Sequence, residues 1–311
     1  MSSLMIEAEG LSKKFDEFLA VDNLSLKVNI GEILVLLGPN GAGKTTTVRM
    51  LTSILRPTTG WAKVAGYDVE RSPDKVRASV GVLTEQHGLY GRMNADEYLV
   101  FFGSLYGLSA QESRSRSARL MEQFGLQVGK KRLSEFSKGM RQKLALIRAL
   151  LHEPPVILLD EPTSAMDPES AFMVREAIRE LRSTSRTIVL CTHNLREAEE
   201  LADQIAIIKS GKIILNGDLG QVRKKLLGPQ EYVIRFIGSI DGQLSDIKKN
   251  AQLIDYGEDY IHYSTENGDQ FNPALVRSLV GTGVSIITLQ QVDHSLEDIY
   301  LQIINQDMER P

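Results

Sequence analysis

The stretch Ile33-Leu34-Val35-Leu36-Leu37-Gly38-Pro39-Asn40-Gly41-Ala42-Gly43-Lys44-Thr45 decides the fold. Its opening apolar run predicts a strand covered on both faces, as in a parallel sheet. Residues 38–45 fit G-x-x-x-x-G-K-[ST], and residues 45–55 read as a helix, so the pattern sits at a strand-to-helix turn. Glycines there let the backbone curl until successive N–H groups point inward at anionic oxygens. The helix N-terminus adds partial positive charge. Gly38, Pro39, Asn40, Gly41, Ala42, Gly43, Lys44, Thr45 and Thr46 are therefore a candidate phosphate cradle. Within it Lys44 suits the β- and γ-phosphates, and the Thr45 hydroxyl suits Mg²⁺.

A second apolar run, Val156-Ile157-Leu158-Leu159, ends in Asp160-Glu161. Carboxylates at the C-terminal edge of such a strand stand where α/β sheets bind ligands. Asp160 is the natural Mg²⁺ partner, directly or through water. Glu161 points elsewhere and could orient or deprotonate an attacking water. His193 follows a predicted strand at 187–191 and could contact a γ-phosphate from the same edge.

Short β-branched runs at 80–83 and 205–209 alternate with amphipathic stretches, which predicts an α/β domain. Ser210-Gly211 predicts a hairpin into 212–216. From 94 to 152 the pattern is helical. A stripe of Tyr98, Phe101, Phe102, Leu105 and Tyr106 is expected to pack into the core, and 109–124 continues as a second helix. Gly228-Pro229 marks a break. Beyond it the order β-α-β-β-α-β predicts a small split-βαβ sandwich, with a helix starting at Pro273 and a trailing one at 296–305. The expected division is thus 1–225 and 229–311, an α/β domain followed by a small α+β domain.

Composition narrows the function. Across 311 residues, 36 Lys and Arg against 40 Asp and Glu give a formal charge of −4, which is no footprint for nucleic acid. The lone cysteine, Cys191, sits in an apolar run and reads as core packing. No run approaches the roughly 20 apolar residues of a spanning helix, and the N-terminal stretch lacks a signal-peptide pattern. A membrane role must therefore come through a partner.

Taken in order, these motifs resemble the nucleotide-binding subunits of ABC transporters over at least 4–225, a P-loop NTPase fold with a helical insert. Phe136-Ser137-Lys138-Gly139-Met140-Arg141-Gln142 is similar to the family's signature segment, usually written Leu-Ser-Gly-Gly-Gln. Gln86 resembles the Q-loop glutamine, a ligand to the metal. Ser164-Ala165-Met166-Asp167 resembles the D-loop, and His193 the switch histidine. Phe15 sits where the family places an aromatic under the adenine. Lys138, Met140 and Phe15 depart from the commonest residues of the family, which leaves Ser137 and Gly139 as the firmer signature contacts.

The resemblance implies a Mg²⁺-dependent ATPase whose two copies close head-to-tail, Ser137 and Gly139 of one meeting the γ-phosphate held by the other. It implies a separate transmembrane permease of the ABC-2 type, and a cytoplasmic place on the inner face of the cell membrane. The segment 295–300 resembles the tail domain of such exporter subunits. An importer subunit, or a soluble ABC ATPase acting on ribosomes or DNA, are the competing readings. Against the second stand the single cassette, the short insert and the acidic charge. No Asn-Lys-x-Asp motif supports a GTPase.

Overall fold

The structure, a computed structural model, describes residues 4–84, 88–164, 166–183, 186–222, 229–240 and 244–292. The chain divides into two compact units, Met1–Leu219 and Gly220–Pro311. The division falls a few residues ahead of the break read at 225–229.

The first unit is built on a six-stranded sheet ordered β10-β9-β3-β8-β7-β6. Its strands are β3 (Ile33–Leu37), β6 (Val80–Leu83), β7 (Val156–Asp160), β8 (Thr187–Thr192), β9 (Gln204–Lys209) and β10 (Lys212–Gly217). All neighbours pair in parallel except β10, which returns on β9 as a hairpin. Ser210 and Gly211 both take positive φ there, 47° and 80°, the turn that matches strand twist. Every residue of β3, β7 and β8 is buried, which explains their unbroken apolar runs.

A second sheet was not anticipated. It has the order β2-β1-β4-β5, from β1 (Leu4–Phe15), β2 (Phe18–Asn29), β4 (Thr59–Val64) and β5 (Tyr67–Asp68). The pairing of β1 with β2 is interrupted by four register shifts. Each shift breaks the two-residue alternation by which a half-buried strand is recognised. One core joins this sheet to the first through α1 (Lys44–Leu51), with Ile6, Leu24, Leu36, Met50 and Leu158 all buried. The helix stops short of residue 55 because Ser53 turns left-handed, φ 57°.

The helical insert contains α3 (Ala95–Leu105), α4 (Ala110–Gln123) and α5 (Lys138–Leu150); α2 (Pro73–Ser79) precedes it. Capping boxes fix two of the starts, Asn94 with Glu97 and Ser109 with Glu112. The aromatic stripe does not pack as a whole. Tyr98 is fully buried and its hydroxyl accepts from Arg148 at 2.7 Å, but Phe101, Leu105 and Tyr106 are 39%, 64% and 43% exposed. The buried face of α3 is centred on Ala95, Tyr98 and Leu99. At about 100° per residue, Phe101 lies about a third of a turn from it, whereas Leu105 shares the side of Tyr98 and is exposed as the last residue of the helix.

After β7 come α6 (Pro168–Ser183) and α7 (Leu195–Leu201). The second unit runs β11 (Gln230–Ile237), α8 (Leu244–Asn250), β12 (Gln252–Tyr256), β13 (Tyr260–Thr265), α9 (Gly268–Gly281) and β14 (Ser285–Gln291). The sheet order β12-β13-β11-β14, antiparallel throughout, is the split-βαβ topology. Alternate residues Tyr232, Ile234 and Phe236 pack on Ile247 and Leu279. Pro273 lies inside α9 rather than at its start, its carbonyl accepting from Arg277 Nε at 3.1 Å. The expected helix at 296–305 lies outside the described residues.

Because Phe236 is wholly buried in this small core, Phe236→Ala should destabilise the chain by about 3–5 kcal/mol. Urea unfolding followed by circular dichroism would register this as a lower midpoint.

Candidate active site

Parallel register brings three loops to one edge of the sheet. Leu37, at the end of β3, pairs with Thr192, and Asp160, at the end of β7, pairs with Cys191 on β8. Each chain exits into a loop carrying one of the predicted groups: the cradle after β3, Glu161 after β7, His193 after β8. They line one cavity of about 500 Å³, from Pro39 to Thr46 together with Asp160, Glu161, Ser164 and His193.

The cradle is held by its own backbone. Gly43 takes φ 106°, and a Cβ there would come within 2.6 Å of the Ala20 carbonyl, so only glycine closes the turn. Lys44, nearly buried, donates to the Gly38 carbonyl at 2.6 Å and to Pro39 at 3.2 Å. Its Nζ also stands 3.6 Å from Glu161 Oε1. The ammonium thus stands at the cavity wall on two backbone carbonyls and one carboxylate, partners that an anion could replace.

Two hard oxygen donors meet beside it. Thr45 Oγ1 donates to Asp160 Oδ2 at 2.7 Å. A hydroxyl and one carboxylate suit Mg²⁺, which takes few protein ligands and completes its shell with water and phosphate. Among the described residues no group of three or more His, Cys, Asp or Glu could hold a metal unaided. A metal here would therefore need the phosphates. Gln86, the third predicted metal ligand, lies outside the described residues.

Glu161 is pinned from both ends of its side. Its N–H donates to the Cys191 carbonyl at 2.9 Å, and Oε1 pairs with His193 Nδ1 at 2.9 Å. Its backbone is left-handed, φ 52°, which is costly for a residue with a Cβ. Cys191 beneath it is fully buried, and desolvation pushes its thiol well up from the usual range, with Asp160 adding to the shift. That agrees with core packing rather than reactivity.

The remaining predicted residues lie elsewhere. Ser137, Gly139 and Asp167 line a second cavity of about 480 Å³ with Lys138 and the buried Lys143. Ser137 caps α5, its Oγ accepting from Met140 N at 3.2 Å. Asp167 accepts from Ser170 N at 2.9 Å, which holds its carboxyl below the usual range. Phe15 is not among the residues lining the first cavity; Phe18 is, together with Ala20. The turn at Asp16, φ 46°, sends the two aromatics to opposite arms of the β1–β2 hairpin.

Comparisons with known proteins identify the family. The family model described as ABC transporter matches residues 21–164. A Bacillus subtilis ABC transporter ATP-binding protein, YxlF, is 34% identical over 309 residues, covering 97% of this chain and all of that one. The chain belongs to the ATP-binding proteins of ABC transporters. A daunorubicin resistance ATP-binding protein, DrrA3 of Streptomyces coeruleorubidus, is 31% identical over 309 residues, 99% of this chain and 98% of that one. A solved dimer of an ATP-binding cassette in a post-hydrolysis state with ADP and Pi matches with TM-score 0.64 and 25% identity, over 69% of this chain and 99% of that chain. As an ABC transporter ATP-binding protein, the chain binds and hydrolyses ATP to power transport.

Two side chains of this ABC ATPase escaped the sequence reading. Gln142 was quoted within the signature segment without a role, and its amide reaches the backbone beside Glu161. Glu197, on α7 and 2% exposed, accepts from Thr163 Oγ1 at 2.9 Å and from Thr192, so it ties the loop after Glu161 to the strand end before His193. The spacing Asn194-x-x-Glu197 is a helix-start signal. It foretells the cap, for Asn194 accepts from Glu197 N, but not the buried carboxylate.

Desolvation raises the Glu197 carboxyl from its usual range. A raised acid is penalised in the folded state wherever it is ionised, so the penalty is present at high pH and gone below the unfolded value of about 4.3. Glu197→Gln should therefore raise the thermal midpoint at pH 8, and the gain should fade as pH falls toward 4.

Proposed function

We propose that this chain is the motor of an exporter, two copies closing on Mg²⁺-ATP against a separate membrane-spanning permease of the ABC-2 type. The observation that carries the catalytic part is the convergence of Lys44, Thr45–Asp160 and Glu161–His193 on one cavity. In this reading Lys44 leaves the Gly38 and Pro39 carbonyls for the β- and γ-phosphates, and the backbone N–H groups of 39–46 cradle them. Thr45 and Asp160 would hold Mg²⁺, which supplies charge neutralisation on the phosphates. Glu161 orients the attacking water and accepts its proton. The new bond joins the water oxygen to the γ-phosphorus, the bond to the β–γ bridging oxygen breaks, and ADP leaves with that electron pair. His193, paired through Nδ1 to Glu161, keeps the carboxylate in place and offers its other nitrogen to the γ-phosphate. Phe18, from its place on the cavity wall, is the better placed aromatic for the adenine.

The second cavity supports the dimer. Ser137 and Gly139 stand apart from the first site, and a Cβ at Gly139 would meet nothing of its own chain. The open position beside Ser137 leaves room for close approach of a group from outside the chain. The γ-phosphate held by a second copy fits, and the dimeric relative is the precedent.

For the permease, no described helix is long and apolar enough to cross a membrane. A groove of about 330 Å³ lined by Ile54, Thr84, Phe102, Tyr106 and Arg148, with the exposed Tyr90 ring 6.0 Å from Phe101, offers an apolar docking surface. In this reading the chain is a peripheral subunit on the inner face of the cell membrane. The drug-resistance name of the Streptomyces relative favours export over import.

Glu161→Gln should lower ATP turnover by about 100-fold or more while retaining ATP binding, and Lys44→Ala should weaken both. Phosphate release and fluorescent-nucleotide titration measure the two, and wild-type turnover in either variant sinks the assignment. For the transport part, the tagged chain should recover a multi-span protein in near-equal amount from detergent-solubilised native membranes. Recovery of ribosomal or DNA-bound proteins alone would transfer the ATPase to a soluble role.

A further inference from the structure

The catalytic loop contains a strain that its own strand does not account for. Glu161 is left-handed, and it precedes Pro162. A side chain with a Cβ resists that region by about 1–3 kcal/mol. A following proline pushes the residue before it toward extended backbone. Such a conformation persists only where the surroundings over-determine it. Upstream the hold is the Glu161 N–H on Cys191. Downstream, Pro162 has no N–H to contribute, and the loop's own hold on the Glu161 carbonyl is one long bond from the Ser164 N–H at 3.2 Å.

A second, side-chain donor comes from Gln142. Its side chain is 3% exposed, and Nε2 donates to the Glu161 carbonyl at 2.9 Å and to the Pro162 carbonyl at 3.0 Å. Gln142 lies on α5, whose first turn carries Ser137 and Gly139. Five residues of helix separate it from Ser137, about 7.5 Å along the axis. One rigid element therefore reaches from the second cavity to the backbone of the group in the first.

We infer that Gln142 is a positioning residue for hydrolysis: it clamps the strained Glu161-Pro162 carbonyls and ties the aim of the Glu161 carboxylate to the placement of α5. The inference rests on the reading of Glu161 as the residue that handles the attacking water. It adds a group that touches neither ATP nor water. Its loss should change the rate of the chemical step and leave nucleotide binding alone, a split that general destabilisation does not produce.

The test compares the full chain with Gln142→Met, which keeps the shape and removes both donors, and Gln142→Asn, which keeps the donors and withdraws them by one methylene. Glu161→Gln runs beside them. Steady-state ATPase, fluorescent-ATP affinity and thermal midpoint are measured for each. Expected is a fall in kcat of about 10- to 100-fold for Gln142→Met, with KM and ATP affinity unchanged within about twofold and Gln142→Asn intermediate. Wild-type kcat in both Gln142 variants, with Glu161→Gln inactive, overturns the inference. So does a kcat that falls only in step with ATP affinity and thermal midpoint, which marks Gln142 as ordinary core support. Wild-type turnover in Glu161→Gln would instead remove the reading of Glu161 beneath it.

Discussion

The in-register pairing of β8 between β3 and β7 is the constraint on which the site depends. Parallel strands can only share a C-terminal edge if their hydrogen bonds keep step. Here Leu37 meets Thr192 while Cys191 meets Asp160. A slip of one residue would reverse every side chain of a strand and carry Asp160 away from Thr45. Because all three strands are buried on both faces, no such slip escapes penalty. A displaced Leu or Ile would stay in the core but meet space shaped for its neighbour, which costs typically about 1–3 kcal/mol where it overpacks. The apolar runs that look featureless in the sequence are thus what fixes the catalytic geometry to within a hydrogen bond.

On that frame the loops can be strained without the fold yielding. Gly43 and Glu161 both lie in the left-handed region, one because a Cβ would strike the Ala20 carbonyl, the other despite carrying a side chain. Strain at Glu161 is countered by polar contacts from three different elements: Cys191 on β8, Gln142 on α5 and His193 after β8. Glu197 braces the same loop from α7 through Thr163. Buried hydrogen bonds are worth only about 1 kcal/mol net each, yet leaving a buried carbonyl unpaired costs more. The arrangement is therefore stiff in proportion to its completeness.

The glycine turn at 38–45, the acid pair ending β7 and the start of α5 were legible in the sequence, because each is a local pattern: a glycine spacing, an apolar run with a charged end, a capped amphipathic helix. The second sheet was not legible. Four register shifts erase the alternation of β1 and β2, and their pairing is settled by contact with α1 and the first sheet. Phe15 and Phe18 show the same limit on a smaller scale. They are three residues apart around one left-handed Asp16, and only the hairpin decides which arm faces the cavity. The aromatic stripe of α3 was read by spacing alone, whereas its exposure was decided by where α5 lies. Gln142 and Glu197 are polar residues in helices, unremarkable until tertiary contact buries them.

The separation of the two cavities carries the last step. A chain that held its signature helix against its own cradle would bind ATP in a closed, finished site, and nothing would distinguish the bound state mechanically from the free one. Here Ser137, Gly139 and Asp167 belong to one hollow and Lys44, Thr45 and Glu161 to another. A Cβ at Gly139 would meet nothing within its own chain, so the surface beside Ser137 is open to a group from outside. If a second copy completes each site, ATP favours the closed pair through contacts absent from the open one, and can shift the equilibrium by no more than that difference. Hydrolysis removes the shared γ-phosphate and with it the difference. In the proposed dimer neither copy owns a whole site, and the coupling of ATP binding to closure follows from that.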